Sequence, residues 1–180
     1  MTVFGPSKNT SFDIFSLRTE KAGPPSTDGP ELLLGNSYGE YFGQISPDGR
    51  WMLYASDQSG RNEIYVTSYP KPGAVWQISR GGGHKPLWSP NSTEIVYRSG
   101  TQLYAVAVTL VPVFRAGEPR LLFEGPYPNT PGFDFDISPD GRRFLMLENN
   151  DFLRPSTTLT VITNFFDELR RRVPTGGAKK

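Results

Sequence analysis

Cysteine is absent from the 180 residues, and histidine occurs once, at His84. The first absence excludes disulfides, thiolate catalysis and cysteine-ligated zinc, and the second leaves a lone imidazole with no second one to complete a metal set. An excess of charge of either sign is missing too. With 19 basic and 18 acidic residues the net charge is +1, which supplies no field to recruit nucleic acid or an anionic membrane. Long hydrophobic runs are also lacking: the longest, LYAVAVTLVPVF at 103–114, contains Pro112 and falls short of the roughly 20 residues of a spanning helix. The opening MTVFGPSKNT has no charged-then-apolar layout of a signal peptide, so the chain as given reads as soluble, without membrane insertion.

What the chain has in excess is turn formers. Gly 19 and Pro 17 make a fifth of the sequence, against about 12% on average and below the about 25% at which low-complexity disorder begins. Many turns in an ordered chain favour an all-β fold. The turns are also spaced. Ser46-Pro47-Asp48-Gly49 fits a type I turn, with Ser first, Pro second and Gly fourth, and a Trp-Met-Leu-Tyr strand follows it. SPNS recurs at 89–92 and SPDG at 138–141, 43 and then 49 residues further on, close to the length of a four-stranded propeller blade, about 40–50 residues.

Counted from each serine, the next strands read WMLY (51–54), EIVY (94–97) and RFLM (143–146). Third strands follow as EIYVTSY (63–69), QLYAVAV (102–108) and TLTVITN (158–164), and fourth strands as VWQIS (75–79) and PRLLFEG (119–125). The first residues join the series part-way: TVFG (2–5), FDIFSL (12–17) and ELLLG (31–35) occupy the second, third and fourth places. The expected fold is therefore all-β, a β-propeller segment of four-stranded antiparallel blades numbering about three and a half. The units are roughly 1–35, 41–79, 84–125 and 132–163, within a partial propeller spanning 1–163. A short amphipathic helix, NFFDELRRRV (164–173), and a basic tail complete the chain at 164–180.

The segments QISPDGRWMLYASDQSGRNEIYVTSYP and GGGHKPLWSPNSTEIVYRSG carry a resemblance as well. An apolar residue, S-P-D-G, an apolar strand reaching Tyr-x-Ser, then Gly and an Ile-Tyr or Leu-Tyr strand is similar to the TolB-like propeller repeat. More narrowly, the chain resembles the propeller region at the C-terminal end of bacterial transmembrane Ser/Thr protein kinases, whose tails TVITNFFDELRRRVPTGGAKK also resembles. The expected role is a non-catalytic module that binds a protein or small ligand at the propeller channel, as the sensor or scaffold part of a larger bacterial protein. The resemblance implies an extracytoplasmic or periplasmic sensor domain on a kinase, or a TolB-type partner of envelope proteins. Two departures stand out. Ser92 replaces the turn glycine, and no kinase motif is present, so any phosphoryl transfer would belong to another segment. The alternative is the gating propeller of a prolyl-oligopeptidase-like hydrolase whose catalytic domain lies elsewhere.

Aligning the first strands on their serines sets Phe42 and Gln44, Lys85 and Leu87, and Asp134 and Asp136 on one face, because side chains alternate along a strand. Gly43, Ile45, Pro86, Trp88, Phe135 and Ile137 take the other face. In a propeller these strands line the channel, so Gln44, Lys85, Leu87, Asp134 and Asp136 are the candidate ligand-binding residues. Asp134 and Asp136 alone are too few oxygens for Ca²⁺, which takes 6–8, and no metal or other cofactor is expected. GNSYG (35–39) matches the G-x-S-x-G elbow with Ser37 as nucleophile, but two glycines and a proline follow where a helix must start. A loop using its glycines for positive φ is the expected reading, and no catalytic residue is assigned. Gly81-Gly82-Gly83 leads into a strand with no G-K-[ST], so it is not a phosphate loop, and His84 reads as a rim residue. Strand counts of three, four, four and three leave the first unit without its inner strand. The arc is therefore expected to stay open, either as the end of a longer propeller missing its N-terminal part or as a self-associating half-ring.

Overall fold

A computed structural model of the chain describes residues 2–6, 12–17 and 29–148. Within them the chain is all-β, with no helix among the described residues. The expected C-terminal helix and the strand at 158–164 lie outside the described residues.

Among the described residues fourteen strands form four antiparallel sheets, each from strands consecutive in the chain. The first sheet holds β1 (Thr2–Pro6), β2 (Phe12–Ser16) and β3 (Glu31–Leu34). The second holds β4 (Glu40–Ile45), β5 (Trp51–Ser56), β6 (Glu63–Ser68) and β7 (Val75–Gln77) in that order. The third has five strands: β8 (His84–Trp88), β9 (Glu94–Ser99) and β10 (Gln102–Thr109), with β11 (Arg115–Ala116) and β12 (Arg120–Glu124) both paired to β10. The last pairs β13 (Phe135–Ile137) with β14 (Phe144–Met146). The two-residue β11 has no counterpart in the sequence reading. It forms because the chain after β10 folds back and seats Phe114, 2% exposed, with ring centroids 5.2 Å from both Trp51 and Trp76.

The three turns are chemically the same device. In each, the serine amide donates to the carbonyl five residues on, and the fourth residue's amide donates back to the serine carbonyl: Ser46 with Trp51 and Gly49, Ser89 with Glu94 and Ser92, Ser138 with Arg143 and Gly141. Each serine hydroxyl donates to the third residue's side chain, Asp48 at 2.6 Å, Asn91 at 2.8 Å and Asp140 at 2.6 Å. The same hydroxyl accepts the amide that opens the next strand, at 3.0, 2.9 and 2.9 Å. The fourth residue is left-handed in all three, with φ of 73° at Gly49, 58° at Ser92 and 69° at Gly141. Ser92 therefore holds a conformation that glycine adopts without strain.

Alternation along the central strands divides their side chains between two cores. Leu53, Ala55, Ile64 and Val66 of the second sheet meet Ile95, Tyr97, Val106 and Val108 of the third. The opposite faces pack outward along the chain order. Met52, Tyr54 and Tyr65 join Ile14 of the first sheet, and Val96, Leu103 and Ala105 join Phe135 of the last. Both central sheets are thus covered on both faces, which is why Met52–Ser56 is buried at every position. Fully burying each such Ile, Leu or Val is worth about 1.5–3 kcal/mol, so the inter-sheet cores outweigh any single turn.

Candidate functional site

The first strands of two units carry the same irregularity. In β4 the register shifts between Tyr41 and Gln44, and in β8 between His84 and Leu87, each with one extra residue opposite its partner strand. The extra residue sits four places before the turn serine and is left-handed: φ is 56° at Phe42 and 54° at Lys85. Such a bulge re-aims side chains, so strict alternation through these strands fails. β13 stays regular, with the Leu147 amide donating to the Asp134 carbonyl at 2.9 Å.

A cleft of about 400 Å³ lies where the three first strands meet. Gln44 of β4, Leu87 of β8, and Asp134 and Asp136 at β13 line it, together with Phe133, Phe135, Leu145 and Leu147. Four of the five candidate residues are therefore brought together. Two points of the sequence reading are corrected. Lys85 does not line the cleft, and Phe135, placed on the opposite face from Asp134 and Asp136, does. Phe133, Leu145 and Leu147 carry no pattern of their own in the sequence. Their places at the cleft follow from β14 pairing with β13.

Lys85, 1% exposed, lies behind the cleft wall and bonds Asp134, a lining residue itself 1% exposed, where an open, solvated face was expected. The Lys85 ammonium donates to Asp134 Oδ2 at 2.5 Å, to the Thr130 carbonyl at 2.6 Å and to Asn129 Oδ1 at 3.0 Å. All three of its donors are engaged. Arg98 of β9, also 1% exposed, approaches the same oxygen at 2.9 Å. Its guanidinium further donates to the carbonyls of Pro128, Gly100 and Tyr127 at 2.9, 2.7 and 3.1 Å, and its centre lies 6.0 Å from the Tyr127 ring centroid. Burial alone would raise the Asp134 carboxyl, but the hydrogen bond from Lys85 and the nearby Arg98 charge hold it below the ordinary carboxylate value. Asp134 Oδ1 is buried with no hydrogen-bond partner. Two cations thus tie 127–130 and Asp134 to the third sheet and fix the far wall of the cleft.

Sequence reasoning missed Arg98, though a cue exists. Nine residues after the turn serine stands Ala55 in one unit, Arg98 in the next and Leu147 in the third. A charge at a place where the other units carry Ala and Leu implies a buried counter-ion.

The other motifs resolve simply. His84 opens β8 half-buried, and its Nδ1 donates to the Arg98 carbonyl at 2.8 Å. Burial foremost, with the neighbouring Lys85 and Arg98 charges, pushes its pKa down, so the neutral ring is favoured. Gly82, at φ 93°, donates its amide to buried Glu63 at 3.0 Å, and the following element is the strand β8. The loop 35–39 joins β3 to β4 with no helix after it, so the elbow geometry is not formed. Its terminal glycines do not have positive φ, contrary to expectation. Gly39 is closely approached instead, since a Cβ there would fall 2.2 Å from the Tyr41 hydroxyl, whereas one on Gly35 would meet only the movable methyls of half-exposed Leu32 at 3.0 Å. Among the described residues there is no group of three or more potential metal-ligating side chains and no helix long and apolar enough to cross a membrane. No protein-family model matches the chain, and no curated protein matches it.

Proposed function

We propose that this chain is a non-catalytic binding module, a TolB-like propeller segment whose ligand sits in the cleft between the first strands of three successive units. The observation that carries the reading is the convergence of Gln44, Leu87 and Asp136, each two residues before its turn serine, on one cavity that Asp134 also lines. Three identical turn networks, and bulges at matching positions of β4 and β8, support a repeat architecture beneath it. The cleft volume lies within the about 300–1,000 Å³ usual for ligand pockets, and its walls are apolar with few polar groups, as binding sites commonly are. Fold alone licenses no function, so the site carries the proposal.

The test is a titration of ¹⁵N-labelled protein with 1-hexanol, followed by amide shifts. Saturating shifts at Gln44, Leu87, Asp136 and Leu145 are expected, and Leu87→Trp, which fills the cleft, removes them. Shifts scattered over the surface, or none, refute the cleft. An experimental structure in which the four sheets do not succeed one another around a common axis refutes the propeller.

A further inference from the structure

We infer that the cleft selects a lysine side chain presented by a protein partner between apolar residues, an inference that rests on the binding role proposed above. The argument begins from which polar groups have capacity left. Lys85 has used every donor it has, and both terminal nitrogens of Arg98 are already bonded to carbonyls or to Asp134. Neither cation is available to an anionic ligand. The groups that face the cleft offer acceptors instead. Asp136 is exposed, and its Oδ1 takes only the amide of the adjacent Ile137, at 2.8 Å, leaving carboxylate capacity directed to solvent. Gln44 adds a half-buried amide. Behind them Asp134 keeps Oδ1 without a donor. Lys85 and Arg98 already outweigh the Asp134 charge, so the carboxylate that calls for a cation is Asp136, and a ligand matched to this set brings N–H donors with its positive charge beside Asp136.

The walls decide what carries the charge. Leu87, Phe133 and Phe135 give the cleft apolar walls against which an unbranched methylene stem can lie, and Phe133, 43% exposed, adds an aromatic ring to them. The cleft of about 400 Å³ is larger than one such stem, and it opens onto Leu145, 73% exposed, and Leu147, 51% exposed. Apolar residues flanking the lysine would cover these two. That extension is what points to a peptide segment rather than to a free amine.

Calorimetric titration of the whole chain with acetyl-Leu-Lys-Leu-amide, and with the same peptide carrying norleucine or glutamate at the centre, tests this. The lysine peptide is expected to bind about tenfold more tightly than the norleucine peptide, with the glutamate peptide weakest, since one charge-assisted hydrogen bond separates them. Asp136→Asn, an exposed substitution that leaves the melting temperature unchanged, is expected to erase the lysine advantage while norleucine binding persists. Equal or tighter binding of the norleucine peptide overturns the inference, as does a lysine advantage that survives Asp136→Asn. Butylammonium binding as tightly as the peptide overturns the partner class. If every peptide fails while 1-hexanol still shifts the cleft amides, this inference falls and the binding cleft stands. If 1-hexanol fails too, both fall.

Discussion

Replacing Asp134 with asparagine keeps the side chain's shape and removes one charge, the only anion among the described residues within bonding distance of two buried cations. Lys85 and Arg98 are each 1% exposed and both reach Asp134 Oδ2, at 2.5 and 2.9 Å. Without the carboxylate the site holds two unneutralised charges in a water-poor setting, and breaking a buried pair in this way costs about 3–5 kcal/mol. For a chain of this length that corresponds to a melting temperature lower by roughly 6–20 °C. Lys85→Met is expected to cost less. It leaves the Arg98–Asp134 pair intact and neutral, and gives up the contacts to Asn129 and Thr130, about 1–3 kcal/mol for the orphaned acceptors. Urea unfolding followed by tryptophan fluorescence ranks the two. Asp134→Asn within about 1 kcal/mol of wild type, or Lys85→Met more damaging than Asp134→Asn, would refute the view that this one anion holds both cations in place.

The second turn should respond oppositely to the first and third. Ser92→Gly relieves a φ of 58° and is expected to stabilise by about 0.5–1 kcal/mol, whereas Gly49→Ala and Gly141→Ala each lose about 1 kcal/mol, all read from urea midpoints. Gly39→Ala places a methyl 2.2 Å from the Tyr41 hydroxyl and is expected to cost about 1–3 kcal/mol, measured by thermal melting and relieved when Tyr41→Leu is combined with it. Acid should weaken the fold in two stages. The pKa of His84 is lowered by burial, so the unfolded chain takes up its proton first, and stability falls as pH drops below about 6.5. Asp134 is held low, so its contribution is present above its ordinary value and is lost as pH falls below about 4, through the depressed folded value. Urea midpoints between pH 3 and 8 check both, and His84→Asn should remove the upper stage alone.

Local chemistry was legible and long-range register was not. A Ser-Pro-Asp-Gly turn is specified within its own few residues, because the serine hydroxyl, the Asp48 carboxylate and the Gly49 backbone all act inside the turn. Strand ends were legible to within a residue or two for the same reason. The shared face of Gln44, Leu87 and Asp136 survives in the cleft. Lys85 was misplaced because alternation counts residues, whereas a bulge is decided by pairing with the neighbouring strand, which no count along one strand detects. Arg98 was missed because its counter-ion stands 36 positions away in sequence, on the far side of β10, β11 and β12.

The position four residues before the turn serine explains how one repeat yields different walls. It holds Phe42, Lys85 and Asp134, which share no chemistry, yet each joins its unit to another. The Phe42 ring meets Phe133 edge-on with centroids 5.2 Å apart, and Lys85 reaches Asp134 itself. At Phe42 and Lys85 the backbone is left-handed, a strain of about 1–2 kcal/mol for a residue bearing a Cβ. An apolar ring contact of about 0.5–1.5 kcal/mol beyond its burial offsets that strain at Phe42, and the ionic cluster offsets it at Lys85. The bulge also displaces the residues after it, so Gln44 and Leu87 reach the cleft while the bulged side chains are withdrawn from it. Strained backbone is thus retained where three strands must converge, and the residues it tucks behind the wall hold the cleft's width. In the proposed binding role a ligand would meet Gln44, Leu87 and Asp136, whose spacing rests on Phe42, Lys85 and Arg98 behind them.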